Sequence, residues 1–95
     1  MNLNPANIVA VTDLTPETIR RIIAHLEVST DFDHLVYREA ELDAVWSITG
    51  FILQNEPSRE NRLAVEDLRQ IAHEAHELVA ARRPWEAAAL LRAYL

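Results

Sequence analysis

The chain has 95 residues, of which 49% are hydrophobic and 25% charged, and its formal net charge is −6. This length suits a single domain over residues 1–95, and the composition is that of a folded globular protein. The sequence has no cysteine or lysine, which excludes disulfides, thiol chemistry and Schiff-base catalysis. Its single glycine, Gly50, excludes the glycine-rich loops that bind nucleotide phosphates. We therefore expect no enzymatic activity.

The net negative charge comes from the first part of the chain. Residues 1–56 carry three arginines against nine acidic residues, whereas residues 57–95 carry six of each. A nucleic-acid-binding surface needs a basic stripe. The arginines near the C-terminus, Arg82, Arg83 and Arg92, are better explained as charges that complement helix ends. We expect no nucleic acid as a partner.

A group of acidic residues is predicted at the start and on the outer face of the second helix. A charge run of this kind is usually a solvated face, and two of its members suit helix capping. Binding of a basic partner, in the manner of a nucleic-acid mimic, is kept as an alternative function. The residues of this acidic face are Asp31, Asp33, Glu39, Glu41 and Asp43.

The expected location is the cytoplasm. The first residues lack the basic and apolar regions of a signal peptide. The longest uncharged apolar stretch, residues 44–53, is shorter than the roughly 20 residues that cross a bilayer, so no membrane contact is expected. The all-arginine basic set and the abundant alanine suggest a bacterial origin.

In chain order, the first predicted element is an irregular arm over residues 1–14 with a β-like stretch at 7–11. A lone strand has no partner in a helical chain. The arm therefore either packs on the helices, which we favour, or pairs with another molecule. Helix 1 follows at about 16–28, with Thr15 as N-cap and Pro16 in the first turn. Its apolar stripe is Ile19, Ile22, Ile23 and Leu26.

Helix 2, at about 32–54, changes character along its length. Its first half is amphipathic, whereas residues 44–53 carry no charge on any face. A helix that is apolar on all sides is normally buried on all sides. Gly50 in this stretch costs about 1 kcal/mol relative to alanine. It predicts a close crossing with another helix or, alternatively, a kink or an early helix end.

Helices 3 and 4 are predicted at about 59–82 and 84–95. Ser58 is the N-cap candidate of the third helix, and Pro84 begins the fourth. Helix 4 has only Glu86 and Arg92 as charged residues, which makes it more apolar than a surface helix requires. We therefore expect it to bury a second face.

The helix lengths predict an all-α fold, a small four-helix bundle built on a long antiparallel helical hairpin. Helices 2 and 3 are about 35 Å long, and helices 1 and 4 about 18–20 Å. Short connections favour antiparallel neighbours. Helices 1 and 4 should therefore lie at the same end of the hairpin. The other end, residues 48–66, is then only two helices thick, and we call it the hairpin tip.

The hairpin tip has more apolar side chains than two helices can bury between them. Contiguous exposed apolar patches usually mark an interface. Either the N-terminal arm folds back over the tip, or a second copy or another protein covers it. The apolar residues of the tip are Ile48, Phe51, Ile52, Leu53, Leu63 and Val65.

The preferred functional interpretation is a small non-enzymatic interaction or regulatory protein that acts through apolar helix surfaces. We predict a homodimer, because twofold pairs are the commonest oligomers. For each proposed contact residue, the alternative is an ordinary place in the core. The predicted interaction residues are Phe51, Ile52 and Leu53 at the tip and Trp85, Leu91, Tyr94 and Leu95 on helix 4.

The third helix contains a motif with the spacing of metal ligands. His73 lies about one turn from both His76 and Glu77, so the three side chains share a face. A complete site needs at least three ligands in an open geometry, and the zinc-protease motif requires a second histidine at position 77. The favoured interpretation is a solvated polar face without a cofactor, and weak metal binding is kept as an alternative.

Overall fold

A computed structural model describes residues 3–95 of the chain. It contains four helices, α1 (Pro16–Val28), α2 (Phe32–Asn55), α3 (Arg59–Ala80) and α4 (Pro84–Tyr94). Residues 3–14 form the irregular arm, which contains no strand. The predicted all-α fold is confirmed, and each helix boundary lies within two residues of its predicted position.

The helix starts follow the local capping signals, with one exception. Thr15 Oγ1 accepts a hydrogen bond from the Thr18 N–H at the start of α1, and Ser58 Oγ accepts one from the Asn61 N–H at the start of α3. Asp31 precedes α2 but makes no capping hydrogen bond. Its carboxylate instead lies 3.7 Å from His34 Nδ1. Capping therefore does not explain this aspartate.

The end of α3 is a Schellman turn that reverses the chain into α4. The Arg83 N–H donates to the Leu78 carbonyl at 2.8 Å, and the Arg82 N–H donates to the Val79 carbonyl at 2.9 Å. Arg82 has a φ of 63°, in the left-handed region that favours glycine. This conformation ends α3 two residues earlier than the sequence predicts.

The bundle is assembled on the α2–α3 hairpin. α4 folds back along α3, and α1 packs against α4 more extensively than against α2. As predicted, α1 contacts α2, but α1 packs mainly against α4. Each helix contributes fully buried side chains to one core, among them Ile22 and Leu26 of α1, Leu42 of α2, Ala72 of α3 and Leu91 of α4.

The N-terminal arm packs on the helices, as the first of the two alternatives predicts. Val9 is buried in the core, and Val11 and Leu14 pack against it. Ile8, the neighbour of Val9, remains exposed. This alternation is that of an extended segment with one side against a surface.

The hairpin extends beyond the other two helices, so the molecule is elongated, measuring 41 × 26 × 20 Å. Thr49 is the last buried residue of α2, and Leu68 is the first buried residue of α3. No residue from 50 to 67 is buried. Among residues 3–95, no helix combines the length and the apolar character needed to cross a bilayer.

Candidate functional site

The apolar side chains of the hairpin tip are exposed or only partly buried. None of the six apolar residues predicted there is buried, and Phe51 and Leu63 are 69% and 52% exposed. The arm does not cover the tip, because its Val9 N–H is hydrogen-bonded to the Glu41 side chain of α2. Glu41 lies ten residues before Phe51, or about 15 Å along the helix.

The expectation that residues 44–53 are buried on every face is wrong for the single chain. Within this stretch only Val45 and Thr49 are buried. Trp46 and Phe51 keep substantial exposed surface. The second half of α2 therefore contributes one stripe to the core and leaves the rest of its apolar surface open.

Gly50 accommodates a side chain rather than a crossing helix backbone. α2 continues through Gly50 to Asn55, so there is neither a kink nor an early end. A Cβ atom at Gly50 would lie 3.4 Å from Arg69 Nη2. The same guanidinium lies 3.8 Å from the centre of the Trp46 ring, in a cation–π contact. Gly50 thus leaves space for the Arg69–Trp46 stack.

Phe51 and Leu63 each point away from this stack on their own helix. Phe51 is five residues after Trp46, and Leu63 is six residues before Arg69. At about 100° per residue, these spacings place them about 140° and 120° around their helices from the stacked pair. The apolar surface at the tip is therefore separate from the polar face of the hairpin.

The predicted contact residues on α4 fall into three places. Leu91 is fully buried in the core, so its side chain is not available to a partner. Trp85 is exposed at the start of α4, at the hairpin base, which is the end opposite the tip. Tyr94 and Leu95 are exposed at the other end of α4. Because α4 runs back along α3 towards the tip, these last two residues lie nearer the tip than Trp85 does.

The proposed metal ligands form separate pairs. His73 Nε2 lies 3.3 Å from Glu77 Oε1, and His76 Nε2 lies 3.3 Å from Asp43 Oδ1 on α2. The ring of His73 also packs against Trp46, with the centroids 5.4 Å apart. Asp43 is the neighbour of this motif that the sequence did not reveal. Within residues 3–95, no three His, Asp or Glu side chains are grouped closely enough to hold a metal ion.

The acidic face of α2 is smaller than the sequence suggests. Placing Glu41 on the outer face is wrong, because Glu41 is 1% exposed. Asp43 and Asp31 each lie beside a histidine of the same chain. Asp33 and Glu39 remain as the acidic residues without such a neighbour among the described residues. A surface for a basic partner is therefore less continuous than predicted.

A buried ion pair that the sequence pattern does not predict holds the arm in place. Arg38 is fully buried, and its Nε lies 2.9 Å from Glu41 Oε1. The Val9 N–H donates to Glu41 Oε2 at 2.6 Å, and Arg38 Nη2 donates to the Asn7 carbonyl. The position of Arg38 in the sequence is consistent with its burial, because Arg38 lies three residues after Leu35 and four before Leu42, on the apolar stripe of α2.

Burial governs the ionisation of this cluster. Desolvation raises the pKa of Glu41 to about 7, although the Val9 N–H and the charge of Arg38 both oppose the shift. Desolvation also lowers the pKa of Arg38. His25 on α1 is buried nearby, and desolvation together with the charges of Arg38 and Arg21 lowers its pKa. The protonation of the cluster is therefore coupled to the seating of the arm.

Comparison with known protein families, with curated proteins and with solved structures finds no match to this chain. The fold and its surfaces define a small helical bundle with an extended, apolar hairpin tip.

Proposed function

We propose that this chain is a small non-enzymatic interaction protein that self-associates through its hairpin tip as a twofold homodimer. The observation that carries the proposal is the exposure of Phe51 and Leu63 on a segment, residues 50–67, in which no residue is buried. Large exposed apolar side chains at one end of a molecule are typical of an interface. A second copy brings the same surface, so that each tip covers the other.

The tip is flanked by charges that complement one another under a twofold axis. Arg59 lies four residues before Leu63, and Asp67 lies four residues after it, on the same stripe of α3. In an antiparallel contact centred on Leu63, Arg59 of one copy meets Asp67 of the other, and the pair occurs twice. Both side chains are exposed in the single chain, which leaves them accessible for this contact.

The end of α4 carries further exposed apolar side chains. α4 runs towards the tip and ends in the exposed pair Tyr94 and Leu95. The two tips together would supply four helices, which is the arrangement that the hairpin already has at its base. Burying Phe51 and Leu63 contributes about 1.5–3 kcal/mol per side chain. Association costs about 4–15 kcal/mol, so we expect a dimer that forms in a concentration-dependent way.

Sedimentation velocity over a range of concentrations tests the proposal. The wild type is expected to shift from monomer to dimer as its concentration rises, and Phe51→Asp is expected to remain monomeric. Val36→Asp is the matched control, because Val36 is another exposed apolar residue of α2 but lies far from the tip. A wild type that stays monomeric at millimolar concentration, or equal loss of the dimer in both variants, would contradict the proposal.

A further inference from the structure

A cleft opens at the hairpin base, far from the tip. It lies between the α1–α2 connection and the turn that joins α3 to α4, and its volume is about 320 Å³. Such a volume is at the lower end of the range for ligand sites and suits one large side chain with its neighbours. Leu35 lies on one side, and Arg82, Pro84 and Trp85 lie on the other.

Trp85 presents a fixed aromatic surface to this cleft. Its indole Nε1–H donates to the Glu27 carbonyl at 3.1 Å, which anchors the ring to α1. The side chain nevertheless stays 67% exposed. A held tryptophan loses little conformational entropy on binding, which is one reason why this residue type recurs at the centres of interfaces.

Arg82 supplies an unneutralised positive charge at the same place. Its guanidinium lies 5.2 Å from the ring centre of Phe32, a residue that is itself exposed. Among residues 3–95, Arg82 has no acidic partner within ion-pair distance, whereas the adjacent Arg83 is paired with Glu86. The cleft therefore combines the exposed Trp85 ring with the guanidinium of Arg82, and the Arg83–Glu86 ion pair also lines it.

The backbone at Arg82 adopts a conformation that glycine usually supplies. Its φ of 63° is a conformation that glycine adopts without a steric penalty and that other residues adopt at a cost. Glycine is the common residue at this position of a Schellman turn. The chain instead places there the one arginine that faces the cleft without a partner.

We propose that this cleft binds a short acidic peptide segment of a partner protein. A carboxylate of the segment contacts Arg82, and a neighbouring aromatic or aliphatic side chain packs on Trp85 above Leu35. Charge complementarity favours an acidic partner, because the charges of Arg83 and Glu86 in the cleft offset one another and leave the positive charge of Arg82. The cleft and the tip lie at opposite ends of the hairpin, so this proposal does not depend on the dimer.

The test begins with selection from a random dodecapeptide library on the immobilised full chain. We expect the recovered peptides to combine Asp or Glu with a nearby aromatic residue or leucine. A synthetic copy of the best peptide should then shift the Trp85 indole N–H signal in a ¹H–¹⁵N titration. No recovered peptide, or peptides without acidic residues, would overturn the proposal.

Arg82→Gly separates binding from folding. This variant removes the guanidinium and relieves the backbone, so we expect a higher Tm together with at least tenfold weaker peptide binding. Arg59→Ala at the tip is the charge-matched control and should change the affinity less than twofold. Phe51→Asp should also leave binding intact, which keeps this test distinct from that of the dimer. Unchanged peptide affinity in Arg82→Gly would overturn the proposal.

Discussion

Arg38 and Glu41 form an ion pair inside the bundle, and both of its members contact the N-terminal arm. Their Nε and Oε1 atoms are 2.9 Å apart, and the two side chains are 0% and 1% exposed. Glu41 accepts the Val9 N–H, and Arg38 donates to the Asn7 carbonyl. The arm, which has no helical structure, is thus held by two charged side chains on one face of α2. The pair makes the arm part of the folded unit.

Breaking this pair should destabilise the chain strongly. Glu41→Ala leaves the charge of Arg38 buried without a partner and removes the acceptor of the Val9 N–H. Removing one member of a buried pair typically costs about 3–5 kcal/mol. We expect that loss in the free energy of unfolding, measured by urea denaturation at pH 8, where Glu41 is ionised, together with faster hydrogen exchange at the Val9 amide.

The double variant Arg38→Met, Glu41→Leu is the control for this prediction. It removes both charges and keeps apolar volume, and replacement of a whole buried pair is often close to neutral. We expect it to be more stable than Glu41→Ala alone. A double variant that is as unstable as the single one would show that the charges themselves support the fold.

The stability of the chain should also depend on pH through Glu41. Burial raises the pKa of Glu41 from 4.5 to about 7, so the folded chain binds more protons than the unfolded chain between these values. The contribution of Glu41 is therefore fully present below pH 4.5 and is lost as the pH rises through 7. At about 1.4 kcal/mol per unit, the change is on the order of 3 kcal/mol.

The measurement is the free energy of unfolding at pH 5 and pH 8 in the wild type and in Glu41→Gln. His25 acts in the opposite direction, because its lowered pKa makes the fold less stable as the pH falls below 6.5. The difference between wild type and variant isolates Glu41. Glu39→Gln, two residues earlier, serves as the matched control. Parallel pH profiles for wild type and Glu41→Gln would contradict the role given to Glu41.

The sequence predicts the helices well but does not predict this cluster. Thr15, Ser58 and Pro84 mark helix starts through local chemistry, which depends on a few neighbouring residues. The burial of Glu41 depends on Val9, 32 residues earlier in the chain, and an acidic residue in an acidic stretch resembles a solvated one. The left-handed Arg82 is missed for a similar reason, because arginine carries no signal for a position that glycine usually occupies.

Gly50 should tolerate alanine but not a larger residue. The added Cβ would meet Arg69 Nη2 at 3.4 Å, which is an ordinary van der Waals contact. Alanine is favoured over glycine within a helix by about 1 kcal/mol. We expect Gly50→Ala to raise the stability by up to that amount.

Gly50→Leu should instead displace the guanidinium from Trp46 and alter the fluorescence of that tryptophan. Thermal unfolding followed by fluorescence compares the two variants with the wild type. If Gly50→Ala proves clearly destabilising, the space over Gly50 is tighter than the structure indicates.

Two leucines near the end of α4, four residues apart, should respond differently to truncation. Leu91 is fully buried, so Leu91→Ala is expected to cost about 2–5 kcal/mol in the free energy of unfolding. Leu95 is 47% exposed, and Leu95→Ala should change the stability of the monomer by less than about 0.5 kcal/mol. Equal stability losses in dilute solution would mean that the two residues share one environment.

Disulfide trapping at Leu63 tests the twofold contact at the hairpin tip most directly. The chain contains no cysteine, so Leu63→Cys introduces a unique thiol at the centre of the proposed interface. A disulfide needs Cα atoms about 4.4–6.8 Å apart, which only a close contact between two copies of α3 provides. We predict rapid formation of a covalent dimer by Leu63→Cys under mild oxidation, and little by Val36→Cys. Slow cross-linking at Leu63, or equal cross-linking at both positions, would contradict the proposed dimer.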